Sequence, residues 1–304
     1  MRLLTRSDFD GLICGTLLKR KGIIDKWTFV HPKDVQDGTV QITSNDVLAN
    51  VPYAEGCGMW FDHHSSEVER GFALPKEKGA AYVAPSCARV IYDYYDGQDT
   101  MLDYAEMVQA VDKVDSANLS IYDIKEPRGW VLLGFIMDPR TGLGRFRDFK
   151  ISNYQLMEIL LDVCGEMEIE DILKLEDVAE RAALYNEQNA QFMEMLQRLS
   201  YTVENVIVTD VRNEEIIYSG NRFLIYSLFP RQNVSVWISW GREKQNVAIA
   251  VGHSILRRTC KSDIGAIMHG YGGGGHKQVG TSQVRTEDAE PRIAEIIETL
   301  RKNG

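Results

Sequence analysis

Hydrophobic positions recur along this chain in two rhythms, and the switch between them predicts its organisation. In the first half, short apolar runs alternate with stretches whose apolar residues return every three or four positions. Residues 1–5 read as a strand. Residues 11–21 read as a helix with Leu12, Cys14, Leu17 and Leu18 on one side, stopped by Gly22. Residues 27–31 and 40–43 are strand-like, with a Pro32-Lys33-Asp34 turn after the first, and 59–61 forms the next strand. Helices are predicted over 85–95 and 103–115, the second with Met107, Val108, Val111 and Val114 on its apolar face. Strands alternating with helices imply an α/β fold with a parallel sheet covered on both faces.

From residue 154 to 199 the pattern becomes that of long helices rich in Glu, Leu and Met, with neither Pro nor Gly after Gly165. This reads as a helical connector. Strand signals return over 202–208, 215–218, 223–228, 234–240 and 247–251. A short helix at 262–268 precedes Gly272, Gly273, Gly274, Gly275 and His276, then a strand over 278–284 and a final helix over 287–301. The division expected is a domain over 1–195 that includes the connector, and a smaller α/β domain over 196–304.

Composition narrows the partners. The 304 residues suffice for two cores, and 44% hydrophobic with 26% charged residues is ordinary globular composition. A net charge of −10 opposes electrostatic wrapping of long duplex nucleic acid, which calls for a basic face. It leaves room for a short anionic substrate held by a local patch or by metal ions. The five cysteines are an odd set without a CxxC pair, so neither a disulfide framework nor a structural zinc site is expected. No run approaches the ~20 apolar residues of a membrane span, and a cytoplasmic protein is expected.

Candidate chemistry gathers just past two predicted strands. Asp62-His63-His64 follows the apolar run 58–61, and Ser7-Asp8-Phe9-Asp10-Gly11 follows the first strand. Open α/β sheets build their sites past the carboxyl ends of strands. Carboxylates and imidazoles together suit a divalent cation such as Mn²⁺. Asp10 has a plainer alternative, as the N-cap of the helix beginning at Gly11. Asp46 alone reads as a cap or turn residue. Asp112 and Asp115 share one helix face three residues apart, and either could be a helix-borne ligand or part of a solvated face.

The turn at Asp8-Phe9-Asp10-Gly11, the Asp62-His63-His64 tripeptide, the Asp112 region and the glycine loop before His276 together resemble the DHH phosphoesterase family, over nearly the whole chain. That resemblance implies a catalytic domain followed by a substrate-binding domain, with the active site in the cleft between them. It implies a phosphoesterase using Mn²⁺ or Mg²⁺, one or two ions, on a phosphodiester or phosphomonoester of a small nucleotide-type substrate. Short single-stranded oligonucleotides, pAp and cyclic or linear dinucleotides fall in that class, and a homodimer is compatible with it. By position, Asp8 would ligate one ion, Asp10 the other, and Asp46 would bridge both. His63 and Asp112 would complete the coordination of the second ion, with Asp62 and His64 orienting substrate or ligands. Two ions about 3.5–4 Å apart would activate water for in-line displacement. The glycines at 272–275 and His276, with Arg257 and Arg258 nearby, would hold the far end of the substrate. One position departs from the family pattern: Arg6 stands where His or Asp is usual. A guanidinium cannot ligate a cation but can hold a phosphate oxygen. A polyphosphate-cleaving phosphoanhydride hydrolase and a member that binds nucleotide or metal without turnover remain the alternatives.

Overall fold

The structure is a computed structural model and describes residues 1–72 and 75–303. β1 (Arg2–Thr5), β2 (Lys26–Phe29), β3 (Asp46–Ala49), β4 (Met59–Asp62) and β5 (Gly79–Ala81) form one sheet in the order β2-β1-β3-β4-β5. Every neighbouring pair is parallel, so all five strands end on the same edge. The inner strands are apolar throughout, with Leu3, Leu4, Val47, Leu48, Trp60 and Phe61 buried, as a sheet covered on both faces requires. Around it stand α1 (Phe9–Arg20), α2 (Cys87–Tyr94), α3 (Ala105–Asp115), α4 (Gly129–Met137) and α5 (Asn153–Val163); α1 packs against each of the other four.

β3 departs from expectation. No strand forms over 40–43, where Val40 and Ile42 alternate with exposed Gln41 and Thr43 yet merely rest against the core around Leu48 and Trp60. The strand begins at Asp46 instead. An alternating loop mimics the period of a strand, and that shift relocates every chemical group near it.

The second sheet has the order β10-β11-β9-β8-β7-β6. Its strands are β6 (Ser200–Val203), β7 (Val206–Asp210), β8 (Val234–Trp240), β9 (Val247–His253), β10 (Gly274–His276) and β11 (Val279–Val284). β7 and β8 pair in parallel and the other neighbours are antiparallel. The run expected as one strand over 202–208 is two, reversing at Glu204, whose φ is +52°. No strand forms over 215–218, and Leu224–Leu228 is a short helix, α7. A brief apolar run does not distinguish the two states by period. α8 (Ile264–His269) and α9 (Ala289–Lys302) bury Ile264, Met268, Ile293, Ile296 and Leu300 with Val234, Val236, Ile249 and Val251 of the sheet.

The chain divides into Met1–Asn118 with Pro127–Leu184, and Leu119–Glu126 with Tyr185–Gly304. The division falls inside a continuous helix, α6 (Glu176–Leu199), where no Pro or Gly marks it. Among the described residues, no helix is long and apolar enough to cross a membrane.

Candidate metal centre at the carboxyl edge of the parallel sheet

After β1 the chain turns into α1, and the cap of that helix is Asp8. Its Oδ1 accepts from the Gly11 amide at 2.9 Å. A Cβ at Gly11 would lie 2.1 Å from the Arg6 carbonyl oxygen, so only glycine lets the turn close. With Asp8 capping, Asp10 falls within the first turn and points inward, 2% exposed. The amides opening α2 grip it: Cys87 N–H donates to Oδ2 at 2.9 Å and Ala88 N–H to Oδ1 at 2.8 Å. A helix amino terminus favours a carboxylate in that place.

His63 follows β4. Its Nδ1 donates to the Ala84 carbonyl oxygen at 3.2 Å, since a carbonyl can only accept. That leaves Nε2 as the nitrogen available to a ligand, 3.7 Å from Asp10 Oδ2 and 3.4 Å from Asp115 Oδ2. Ligating atoms of Asp10, His63 and Asp115 all lie within 4.8 Å of one another. His63 Nε2 is buried and has no hydrogen-bond partner. Thr5 Oγ1, Asn50 Oδ1 and Asp62 Oδ2 are also buried without partners, at or just past the ends of β1, β3 and β4. Orphaned polar atoms rarely persist in an interior, so their concentration at one sheet edge marks a place built for something else.

The electrostatics agree. Burial, then the Asp8 charge, pushes the Asp10 carboxyl up to about 7. Burial and then the Asp10 charge push Asp115 up to about 7. The two acids repel each other's charge, and His63 Nε2 beside them has no hydrogen-bond partner. One divalent cation would satisfy all three: carboxylate oxygens suit Mn²⁺ or Mg²⁺, and Mn²⁺ also accepts imidazole. The donor set fits such an ion.

His64 is held differently. Asp62 Oδ1 accepts from both the His64 amide and His64 Nδ1 at 2.8 Å, and the hydrogen bond to Asp62 raises the imidazole's pKa. The two imidazole rings lie 4.2 Å apart, centroid to centroid. Arg6 Nε is 3.1 Å from Asp8 Oδ2.

Two expected ligands stand elsewhere. Asp46 opens β3, at the amino edge of the sheet, and is saturated: Arg2 Nε and Nη2 donate at 2.7 and 3.0 Å, Thr43 N and Oγ1 at 2.7 and 2.9 Å. The residue that follows β3 on the site's edge is Asn50, whose Nδ2 donates to Asp8 Oδ1 at 3.1 Å. Asp112 binds Arg89 Nε and Nη2 at 3.0 and 2.7 Å and accepts from Ser86 Oγ at 2.7 Å. Ser86 caps α2. Asp112 thus ties α3 to the helix turn that grips Asp10, while Asp115 reaches the cluster. The sequence holds that signal: at about 3.6 residues per turn, Asp115 projects between Val108 and Val111, inside the apolar arc, and Asp112 outside it. The displaced strand signal hides Asn50. Arg140, just past α4, carries no local signal in the sequence; its charge acts on both Asp115 and Asp8.

In the second unit, the glycines divide by role. A Cβ at Gly273 would lie 2.0 Å from the Thr281 carbonyl oxygen, and one at Gly275 would lie 2.2 Å from that of Val279, so hairpin packing demands both. Gly274 meets nothing within 4 Å. His276 ends β10 and is exposed, as are Arg257 and Arg258 in the segment after β9.

No family model matches the chain, and no curated protein does. Solved structures do. The pGpG-specific phosphodiesterase PggH from Vibrio cholerae is 44% identical, covering 100% of this chain and 99% of its own, with a TM-score of 0.91. The chain belongs to the DHH family of phosphoesterases. The DHH domain of a member of the s1p family of ribosomal proteins has a TM-score of 0.53 at 12% identity, covering 99% of this chain and 87% of its own. RecJ from Thermus thermophilus in complex with Mn²⁺ has a TM-score of 0.52 at 10% identity, covering 99% and 52%. These last two speak for the fold alone. As a DHH protein this chain is a metal-dependent phosphoesterase of a nucleotide-type substrate.

Proposed function

We propose that this chain hydrolyses the phosphodiester of a linear dinucleotide carrying a 5′ phosphate, of the pGpG kind, with Mn²⁺ held by Asp10, His63 and Asp115. The observation that carries the metal assignment is the buried, unpartnered Nε2 of His63 facing two acids whose burial opposes their charge. The substrate class rests on the 44% identity to the Vibrio phosphodiesterase over the full chain.

A divalent cation in that cluster supplies Lewis-acid polarisation of phosphoryl oxygens and lowers the pKa of water. The chain's own groups supply the rest. The α2 amides fix the orientation of Asp10, and Ala84 fixes the His63 tautomer. Asp62 holds His64 with Nε2 turned outward, a donor for the oxygen that leaves phosphorus. Arg6, tethered at Nε by Asp8, offers its remaining nitrogens to a non-bridging phosphate oxygen. In the second unit, open space at Gly274 and the exposed side chains of Arg257, Arg258 and His276 offer donors to an anion. Water adds to phosphorus, the P–O bond to the neighbouring nucleoside breaks, and that oxygen takes a proton, leaving two mononucleotides.

The test is a substrate panel with Mn²⁺: pGpG, pAp, short RNA, cyclic dinucleotides and polyphosphate. Conversion of pGpG to GMP well ahead of the others is expected. Turnover of polyphosphate alone, or of nothing, contradicts the proposal.

A further inference from the structure

Asp8 is the acid left to a second cation, and both of its oxygens are already engaged, by two hydrogen bonds and one ion pair. Oδ1 accepts from the Gly11 amide and from Asn50 Nδ2, and Oδ2 faces Arg6 Nε at 3.1 Å. The residue after β3 is the neutral Asn50, and Asp46, the acid that might have bridged two ions, is spent on Arg2 and Thr43 at the other edge of the sheet. Guanidinium stays protonated and has no lone pair to give a metal. Apart from Asp10 and Asp115, whose charges the first ion takes up, a second divalent ion would meet the Asp8 carboxylate, already engaged three times, and a fixed positive charge.

A second guanidinium, that of Arg140, lies just past α4, the helix packed against α1 and against α3, whose last residue is Asp115; its charge and those of Asp115 and Asp8 act on one another. Arg140 is tied through Nε to Asp138 Oδ1 and Oδ2 at 2.7 and 3.0 Å, and its amide binds Asp138 Oδ1 at 2.8 Å. Half of its side chain is exposed. The Nη nitrogens of Arg6 and Arg140 donate no hydrogen bond to the described residues. Two anchored forks with free outer donors, beside a cluster suited to one ion, match the geometry by which arginine holds phosphate.

We infer that this DHH chain works with a single divalent cation, at Asp10, His63 and Asp115, and that Arg6 and Arg140 take the place of a second ion by binding the non-bridging oxygens of the scissile phosphate. This rests on the proposed phosphodiester chemistry for its substrate, but not for its ion count. No electron transfer or covalent intermediate is involved: the guanidiniums supply charge and hydrogen bonds as negative charge grows on the phosphoryl oxygens.

The decisive experiment counts ions with Mn²⁺ alone. Chelator-stripped protein is titrated calorimetrically, and its bound Mn²⁺ is examined by electron paramagnetic resonance. One ion per chain with the six-line signal of isolated Mn²⁺ is expected; two ions with an exchange-coupled spectrum overturn the inference. The combined Arg6→His and Asn50→Asp variant should gain a second ion, and a count that stays at one removes these residues as the cause. Arg140→Gln should keep one ion and lower pGpG turnover roughly 10²-fold, as losing one transition-state donor does; unchanged turnover overturns its role. The ion count needs no substrate. Failure on pGpG therefore leaves the single-ion result standing, and two ions with brisk pGpG cleavage overturn only the inference.

Discussion

Asp10 and Asp46 are equally buried, each 2% exposed, at opposite edges of one parallel sheet, and they do opposite things. Asp46 has a full complement of donors. Burial alone would raise its carboxyl, but the Arg2 and Thr43 hydrogen bonds outweigh that and hold it below the ordinary carboxylate range. Asp10 has two amide donors, yet burial and then the Asp8 charge outweigh them and push it up to about 7. Burial does not separate a structural acid from a functional one. What separates them is whether the neighbours complete the charge or leave it open.

The sharpest way to break that contrast is to neutralise each acid. Asp10→Asn should lower turnover by more than the roughly 100-fold that outer-shell changes cost, and should weaken Mn²⁺ binding in calorimetry. Without metal its stability should hold or rise at neutral pH, because a repelled charge is gone. Asp46→Asn should do the reverse: one Mn²⁺ per chain and near-normal turnover, with a loss of about 1–3 kcal/mol in denaturant unfolding, since Arg2 loses its partner. Were Asp46→Asn to abolish Mn²⁺ binding, the two edges would have to exchange roles.

The second effect is on pH. Asp10 and Asp115 are raised in the folded chain, so the metal-free folded state holds more protons than the unfolded one between their ordinary carboxylate value and about 7. Metal-free stability should therefore fall as pH rises through that window and level off above it. Saturating Mn²⁺ should abolish the fall. Stability that rises with pH in the chelator-treated protein would contradict the assigned shifts.

Asp112 gives the smallest effect. Because it positions rather than ligates, Asp112→Asn should leave the Mn²⁺ count at one and lower kcat about 10-fold, with KM little moved. Loss of the ion would make Asp112 a ligand after all.

The same contrast explains what the sequence could convey. The strands β1, β4, β8 and β9 form where their apolar runs place them, and the DHH tripeptide sits where the run before it ends. β3 is displaced from its expected place because Val40 and Ile42 alternate with polar residues in a loop that no strand pairs. That shift makes Asp46 look like a site residue and conceals Asn50. Asp112 and Asp115 are chemically identical three residues apart, and only their angular position against Val108 and Val111 tells them apart. Arg140 lies beyond an unbroken apolar helix with no period of its own, so only folding brings its charge to Asp8 and Asp115. Local pattern reports which residues are buried; which buried groups face one another is a property of the sheet edge.

Anomalous diffraction at the manganese edge, from crystals grown with Mn²⁺, tests the central claim most directly. The account predicts one peak per chain within coordinating distance of an Asp10 oxygen, His63 Nε2 and an Asp115 oxygen. A peak at Asp46 or Asp112, or none at the carboxyl edge of the sheet, would contradict it.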